Sequence, residues 1–545
     1  MHLVSIAKML LRFLIKQAGS KLNLKKFKFQ DRLALTLFSI IFVPVIFLLV
    51  KSFSQDPTSA IYLFENLLFE YSVNTLYLIV LTSFFSIIIG VVPAWYISNY
   101  KFFGRRFLDL ILYLPLAIPT YIMAFTYSEI LSFTGPFKIT YDLLQIEVLG
   151  VILAFSLYPY IYSVSRISFS LLGSRYYEIA KNLGLNSYQT ILKVVLPLSK
   201  PAIFSGLFLV VMEVLNEYGA VKYFGVNTYT IGIFRSWGPM NDSGAAIQLS
   251  SILLFIVAFL FFVEKYFNQG KRFSFPKNSE LLMLKRPDIS TKFIIYLICF
   301  LPIILAFIVP VIFNILNIIS SFDKINFERL LNLTFNSFTV SLLASIIILI
   351  ISTFFLYNEK ISNSRLYYYI NQFISLGYSI PGAVVALSVI IFLTSIDNSI
   401  DSVNLLGSYS VYFTILIYAY IIRFMAVGKS PIKSSMEKYP DSYNNSAKNL
   451  GLSTFKIFQK IYFPINKYAF FTALTLVFVD IMKELPITLI LRPFNFDTLA
   501  TQTYEFAIEE MIPLSSIYSS VIIIICCILL IFLKIFLDKS NVFRS

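Results

Sequence analysis

Six residues stand where charge and polarity are expensive. Glu213 and Glu217 fall one helical turn apart inside an apolar run and so share a helix face. A shift of 267 residues carries them onto Asp480 and Glu484, and carries Asn216 onto Lys483. A charge in a membrane span costs about 2.5–3.5 kcal/mol on insertion scales, so it normally faces a bundle interior or a water-filled cavity. Two readings follow. The six could form the gate or weakly cation-attracting lining of a pathway. They could equally be a structural network, with Lys483 neutralising Glu484 or a carboxylate of the other repeat.

Other chemistries fall away. The single histidine, His2, removes histidine-based catalysis and a His/Cys metal cluster. Cys299, Cys526 and Cys527 lie in apolar runs without a CxxC pair, which indicates neither a disulfide framework nor a thiolate metal site. Gly428-Lys429-Ser430 has the tail of a phosphate-binding loop, but Arg423 stands where that loop needs glycine. The chain therefore carries no nucleotide site, cofactor or catalytic residue of its own.

The elements that must position the six are spans and a duplicated elbow. The composition is 58% hydrophobic and 13% charged, with a mean hydropathy of +0.78, which marks an all-α polytopic membrane protein. Its net charge of +15 sits in loops between apolar runs, a membrane-orienting pattern that implies no nucleic-acid partner. Apolar runs occur at 33–50, 74–97, 107–130, 148–170, 202–222 and 247–266, then at 293–314, 336–357, 366–394, 408–428, 469–490 and 514–537. That gives twelve spans in two six-helix halves, 33–266 and 293–537. They are joined by a charged cytoplasmic linker, 267–292, and flanked by a basic amphipathic segment, 1–32, and a tail, 538–545. Basic loops, with Arg423 and Lys429 counted among them, alternate with acidic ones and place both termini and both elbows in the cytoplasm. An even number of spans per half gives the halves one orientation, related by a pseudo-two-fold axis along the membrane normal.

The elbow reads Glu178-Ile179-Ala180-Lys181-Asn182-Leu183-Gly184, closing at Pro197, and recurs as Asn445-Ser446-Ala447-Lys448-Asn449-Leu450-Gly451, closing at Pro464. Small Ala180 and Ala447 let another surface approach, while Gly184 and Gly451 can take the positive φ that ends a helix. Asn186 and Ser453 are good caps for a second helix, which Pro197 and Pro464 are expected to stop. Asn74-Thr75 and Ile118-Pro119 also recur, as Asn336-Ser337 and Ile380-Pro381, both at a spacing of 262.

The Glu-x-Ala-x3-Gly pattern with its proline resembles the EAA loop of ABC-importer permeases, which docks into the ATPase subunit. Met212–Gly219, Thr228–Ile233 and Lys483–Phe494 are similar to permeases of the ferric-iron transport family, as two halves fused in one chain. The resemblance implies that Glu178, Ala180, Gly184, Pro197, Ala447, Gly451 and Pro464 dock two ATP-binding-cassette subunits, which carry ATP and Mg. Asn445 departs from the pattern, leaving the acidic contact to Glu178 unless Asp441 or Glu437 substitutes. The outer loops with Gly225, Gly232, Arg235 and Trp237, and with Arg492, Pro493, Asp497 and Thr498, would face a periplasmic iron(III)-binding protein. The location implied is the bacterial inner membrane. A hard trivalent cation suits the four carboxylates and Tyr218, yet a conduit must release its cargo, so these are not metal ligands. Thiamine and organophosphonate permeases are similar fused chains. An ion-gradient-driven transporter would leave the repeated elbow unexplained.

Overall fold

The computed structural model describes residues 29–542 apart from 56–60, 62, 64, 134, 137, 139, 142, 269–285, 363, 399–408 and 441. The expected amphipathic segment falls outside the described residues up to position 28, and the first span begins at Phe29. Among the described residues ten helices are long and apolar enough to cross a membrane, and two bent pairs, each counted as one span, bring the number to twelve.

The bent pairs correct the simple reading of 107–130 and 366–394. Arg105–Ala117 meets Thr120–Ile130 at 91°, and Arg365–Ser379 meets Gly382–Asp397 at 111°. Both breaks fall at the repeated Ile-Pro step. Pro119 (φ −55, ψ 145) and Pro381 (φ −57, ψ 143) each cap the second piece from an extended conformation. Proline supplies no N–H for the preceding turn, so each span is cut in its middle.

A second correction concerns Pro197 and Pro464, which stop nothing. A π-helical turn, Ile191–Val195 or Phe458–Tyr462, runs straight into Leu196–Asn216 or Phe463–Met482. The N–H of Leu196 bonds the carbonyl of Ile191, and that of Phe463 bonds the carbonyl of Phe458, each five residues back. The same device precedes Pro310, after Ile304–Ile308. A proline ring clashes with the carbonyl four residues earlier; widening that turn relieves the clash and lets the helix continue.

The repeated Asn-Thr/Ser pairs anchor a short helix in each half. Asn74 Nδ2 donates to Asn227 O at 3.0 Å, and Asn336 Nδ2 donates to Asp497 O at 3.1 Å. Thr75 Oγ1 accepts from Tyr229 N at 3.5 Å, and Ser337 Oγ accepts from Leu499 N at 2.8 Å. Tyr229–Trp237 and Leu499–Ile508 are thereby pinned against their spans.

The halves exchange their first spans. Phe29–Ser52 packs on Gly382–Asp397, with Phe38 against Phe373 at 6.1 Å between ring centroids and the Tyr418 hydroxyl donating to Ile40 O. Ile289–Ser320 packs on the first half, where the Tyr127 hydroxyl donates to Leu305 O. Each large apolar core thus contains residues of both halves.

Both elbows lie at one end of the bundle. Phe204, just past the first elbow, stacks on Phe267, and neighbouring Lys265 donates to Gln372 at 2.9 Å. Gln372 sits beside Asn371, which binds Glu359 at 2.6 Å, and next to Glu359 Lys360 donates to Tyr439 O before the second elbow. Because both cores are shared, a protease cut inserted between residues 269 and 285 should leave two fragments that co-migrate in mild detergent. Separate elution would contradict the exchange.

Candidate functional site

The two helices that leave the elbows end at the bundle centre. Leu196–Asn216 stops at Glu217, which is extended (φ −65, ψ 127), and Phe463–Met482 stops at Lys483. Glu213 and Glu217 therefore do not share a helix face, and the runs 202–222 and 469–490 are not single spans. Next to these ends lie the breaks at Pro119 and Pro381. Four interrupted helices leave backbone and side-chain polar groups around one cavity of about 60 Å³.

All six expected residues line it: Glu213, Asn216, Glu217, Asp480, Lys483 and Glu484. Glu217, 7% exposed, accepts from Ala220 N at 2.9 Å and from the Thr120 hydroxyl. Glu484, 5% exposed, accepts from Ile487 N at 3.2 Å. Each glutamate holds the backbone three residues on, so the repeat preserves geometry as well as charge. Glu213 accepts from the Tyr378 hydroxyl of the other half. Asn216 Oδ1 accepts from Gly382 N at 2.7 Å and from the Arg423 guanidinium, both across the halves.

The charge pairing differs from the sequence expectation. Lys483 pairs with Asp480 at 2.9 Å, one turn back, and not with Glu484. The partner of Glu484 is Arg423, at 3.7 Å and 3% exposed. Arg423 and Lys429 belong to the buried stretch of Tyr409–Met436 and not to a basic loop. What hid them was proximity to the span's basic end; Arg423, five residues inside the end of the apolar run 408–428, was the available signal. Tyr160 and Tyr121, also missed, complete the wall.

Toward the elbows a larger space of about 410 Å³ shares Leu116, Tyr160, Asp480 and Lys483 with the cavity and reaches Lys433. Among the described residues no three His, Cys, Asp or Glu side chains converge to hold a metal ion.

At the elbows Gly184 (φ 85) and Gly451 (φ 76) end the first helix. Leu185 N bonds Ala180 O at 3.1 Å and Leu452 N bonds Ala447 O at 3.2 Å, so both turns close the same way. Asn186 Oδ1 and Ser453 Oγ cap the next helix, accepting from Gln189 N and Lys456 N. Ala180 and Ala447 are each 2% exposed, so the surface they admit is the chain's own. Glu178 occupies the helix Ile146–Asn182. That helix runs unbroken from span to elbow, whereas in the second half Tyr409–Met436 and Ser442–Asn449 are separate. The solvent side carries pairs that sequence reading passed over, again 267 residues apart: Leu183 and Leu450, 77% and 80% exposed, and Tyr188 with Phe455, 71% and 65%.

At the opposite end, Gly225 (φ 68) makes a turn and Arg235 binds Asn227 at 3.2 Å. Arg492 pairs with Asp497 and, at 2.6 Å, with Glu505. Gly232 and Thr498 are not in open loops. A Cβ on Gly232 would meet Tyr71 at 2.6 Å, and Thr498, 5% exposed, caps Leu499–Ile508. Both are buried in this structure.

Residues 86–273 and 360–541 each match the family of binding-protein-dependent transport system inner membrane components. The chain belongs to that family. It is an ABC-type permease built from two permease domains, a multi-pass membrane protein whose family works with ATPase and binding-protein partners. The permease is 25% identical to the Fe(3+)-transport system permease protein FbpB 2 of Haemophilus influenzae over 513 residues, covering 92% of this chain and 96% of that one. It is 33% identical to the sulfate transport system permease protein CysT of Escherichia coli over 154 residues, 27% of this chain and 54% of that one. A probable sulfate permease of Chlorella vulgaris is 27% identical over 184 residues, 32% and 69% of the two chains.

The exposed apolar pairs make a direct prediction. Leu183→Asp together with Leu450→Asp should abolish copurification of the permease with its ATPase while membrane insertion is retained. Unchanged copurification would remove these residues from the docking face.

Proposed function

We propose that this chain is the membrane subunit of an ATP-driven importer of ferric iron, receiving its cargo from a periplasmic iron(III)-binding protein. Two ATPase subunits, carrying ATP and Mg, grip the paired elbows. Their closure rocks one half against the other, and the central cavity faces alternate sides. Both termini lie in the cytoplasm and the chain resides in the inner membrane, a reading supported by the basic loops at the elbow end. Glu178 supplies the acidic elbow contact in the first half and Asn445 does not in the second, so unless Asp441 or Glu437 substitutes the halves couple unequally to the motor.

One observation carries the choice of cargo. The cavity wall holds four carboxylates against two cations, Arg423 and Lys483, a formal excess of two negative charges. Such a wall attracts a cation and repels a doubly charged oxyanion, which favours iron over sulfate. The full-length similarity to a fused Fe(3+) permease supports the same side; the sulfate permeases match 27–35% of the chain. The carboxylates are already occupied by hydrogen bonds and cations, so a passing ion meets a weak, shared site and leaves it.

The test is uptake by vesicles containing the permease, its ATPase and its binding protein. Ferric iron should accumulate on ATP addition and sulfate should not; sulfate accumulation without iron would overturn the proposal. Glu217→Gln and Glu484→Gln keep an oxygen for Ala220 and Ile487 but remove the charge. Each should slow iron uptake about tenfold, ~1.4 kcal/mol of barrier, with assembly intact. Unchanged uptake in both would make these carboxylates structural.

A further inference from the structure

Arg423 breaks the symmetry of the cavity wall. It lies 263 residues after Tyr160, the spacing that also relates Arg166 to Lys429 on the same two helices, Ile146–Asn182 and Tyr409–Met436. Both residues line the cavity, so one half offers a neutral phenol where the other offers a cation. A second exchange accompanies the first. The residue after the Ile-Pro break is Thr120 in the first half and Gly382 in the second. The Thr120 hydroxyl donates to Glu217, whereas a Cβ on Gly382 would meet Arg423 Nη1 at 2.5 Å and Glu484 Oε1 at 2.7 Å. The missing side chain leaves the space in which guanidinium and carboxylate meet.

The fold does not need this cation to bury the carboxylate. Glu217 is held by the Thr120 hydroxyl and Ala220 N, and among the described residues no lysine or arginine pairs with it. Glu484, its counterpart, has Ile487 N in the place of Ala220 N and carries Arg423 as well. Burying a guanidinium in an apolar bundle costs free energy, and the first half shows a neutral solution to the same problem. The attachment of Arg423 is also one-sided. It donates to Asn216 Oδ1 of the first half, but its Nε stands 3.7 Å from Glu484, an ion pair without a hydrogen bond, and that Nε has no hydrogen-bond partner. Charge attraction of this kind holds a cation that a more highly charged one can replace.

We infer that Arg423 is a tethered counter-cation, which competes with the cargo for Glu484 and Asn216 and so promotes its release. The inference rests on the ferric cargo proposed above. With the guanidinium against Glu484 the cavity wall has a formal excess of two negative charges. With it displaced, four carboxylates face Lys483 alone, and the formal excess of three matches a trivalent ion. A ferric ion drawn to the oxygens of Glu484 and Asn216 pushes the guanidinium aside. The guanidinium stays at high local concentration because the chain holds it there, so it returns and the ion leaves. Tyr160, at the matching place in the first half, carries no charge to do this, and release is set from the second half alone.

The test offers ferric nitrilotriacetate to the permease with its ATPase, in mild detergent without nucleotide, and counts the iron retained per chain after gel filtration. Arg423→Gln should retain roughly tenfold more iron than the wild type. In vesicles with ATP and binding protein the same variant should import iron more slowly. An arginine with a merely structural role would lose uptake without gaining retention. Arg423→Lys, which keeps the charge, should bring both values back toward the wild type. Gly382→Ala forces the flexible ends of Arg423 and Glu484 apart while keeping both charges, and should raise retention in the same direction. Arg423→Gln combined with Glu484→Gln should return retention to the wild-type level. Iron import by the wild type, with no gain in retention in either Arg423→Gln or Gly382→Ala, would overturn this role alone. No iron import by the wild type would instead remove the cargo on which the role rests.

Discussion

The permease is arranged around a need to keep charge in a place where charge is costly. Glu217, Glu484 and Arg423 are almost fully buried, and each survives there because a backbone N–H, a hydroxyl or an opposite charge faces it. Those partners exist only because four helices are interrupted at one level. The two Ile-Pro breaks and the two helix ends expose amides and turn side chains inward. An uninterrupted bundle would have buried apolar surface more completely and offered nothing for a polar cargo to cross.

The exchange of first spans serves the same centre. Hydrogen bonds that join the halves at the cavity link Glu213 with Tyr378 and Asn216 with Gly382 and Arg423. In the proposed rocking of one half on the other, such polar contacts would re-form at small cost. The larger apolar cores, each drawing on both halves, hold the halves together while the polar seam changes. The π turns ahead of Pro197 and Pro464 keep the second helix of each elbow on the same continuous rod as its cavity-lining helix. A push at Tyr188 or Phe455 therefore reaches Glu213 or Asp480 along one rigid element.

Much of this was legible in the residues. The twofold repeat of Asn-Thr/Ser, Ile-Pro and the elbow specified two like halves, and the structure gives each pair a task. Intramembrane charge pointed to the cavity residues because the energetic penalty is read directly from position. What stayed hidden depended on three-dimensional pairing. Lys483 lies nearer in sequence to Glu484 than to Asp480, but the helix turn places it over Asp480. Arg423 looked like loop charge because Lys429 and Lys433 follow it. Pro197 and Pro464 looked like helix ends because sequence does not announce the π turn that accommodates them.

The central claim is that the cavity between the two halves is the path of the cargo and changes the side it faces. Leu116, which lines both the cavity and the larger space toward the elbows, reports this directly. In a chain with Cys299, Cys526 and Cys527 replaced, Leu116→Cys should react with a charged thiol reagent from the elbow side without nucleotide. With ATP trapped on the partner ATPase it should be protected there and react from the opposite side. Labelling from neither side in either state, or from one side in both, would contradict the account.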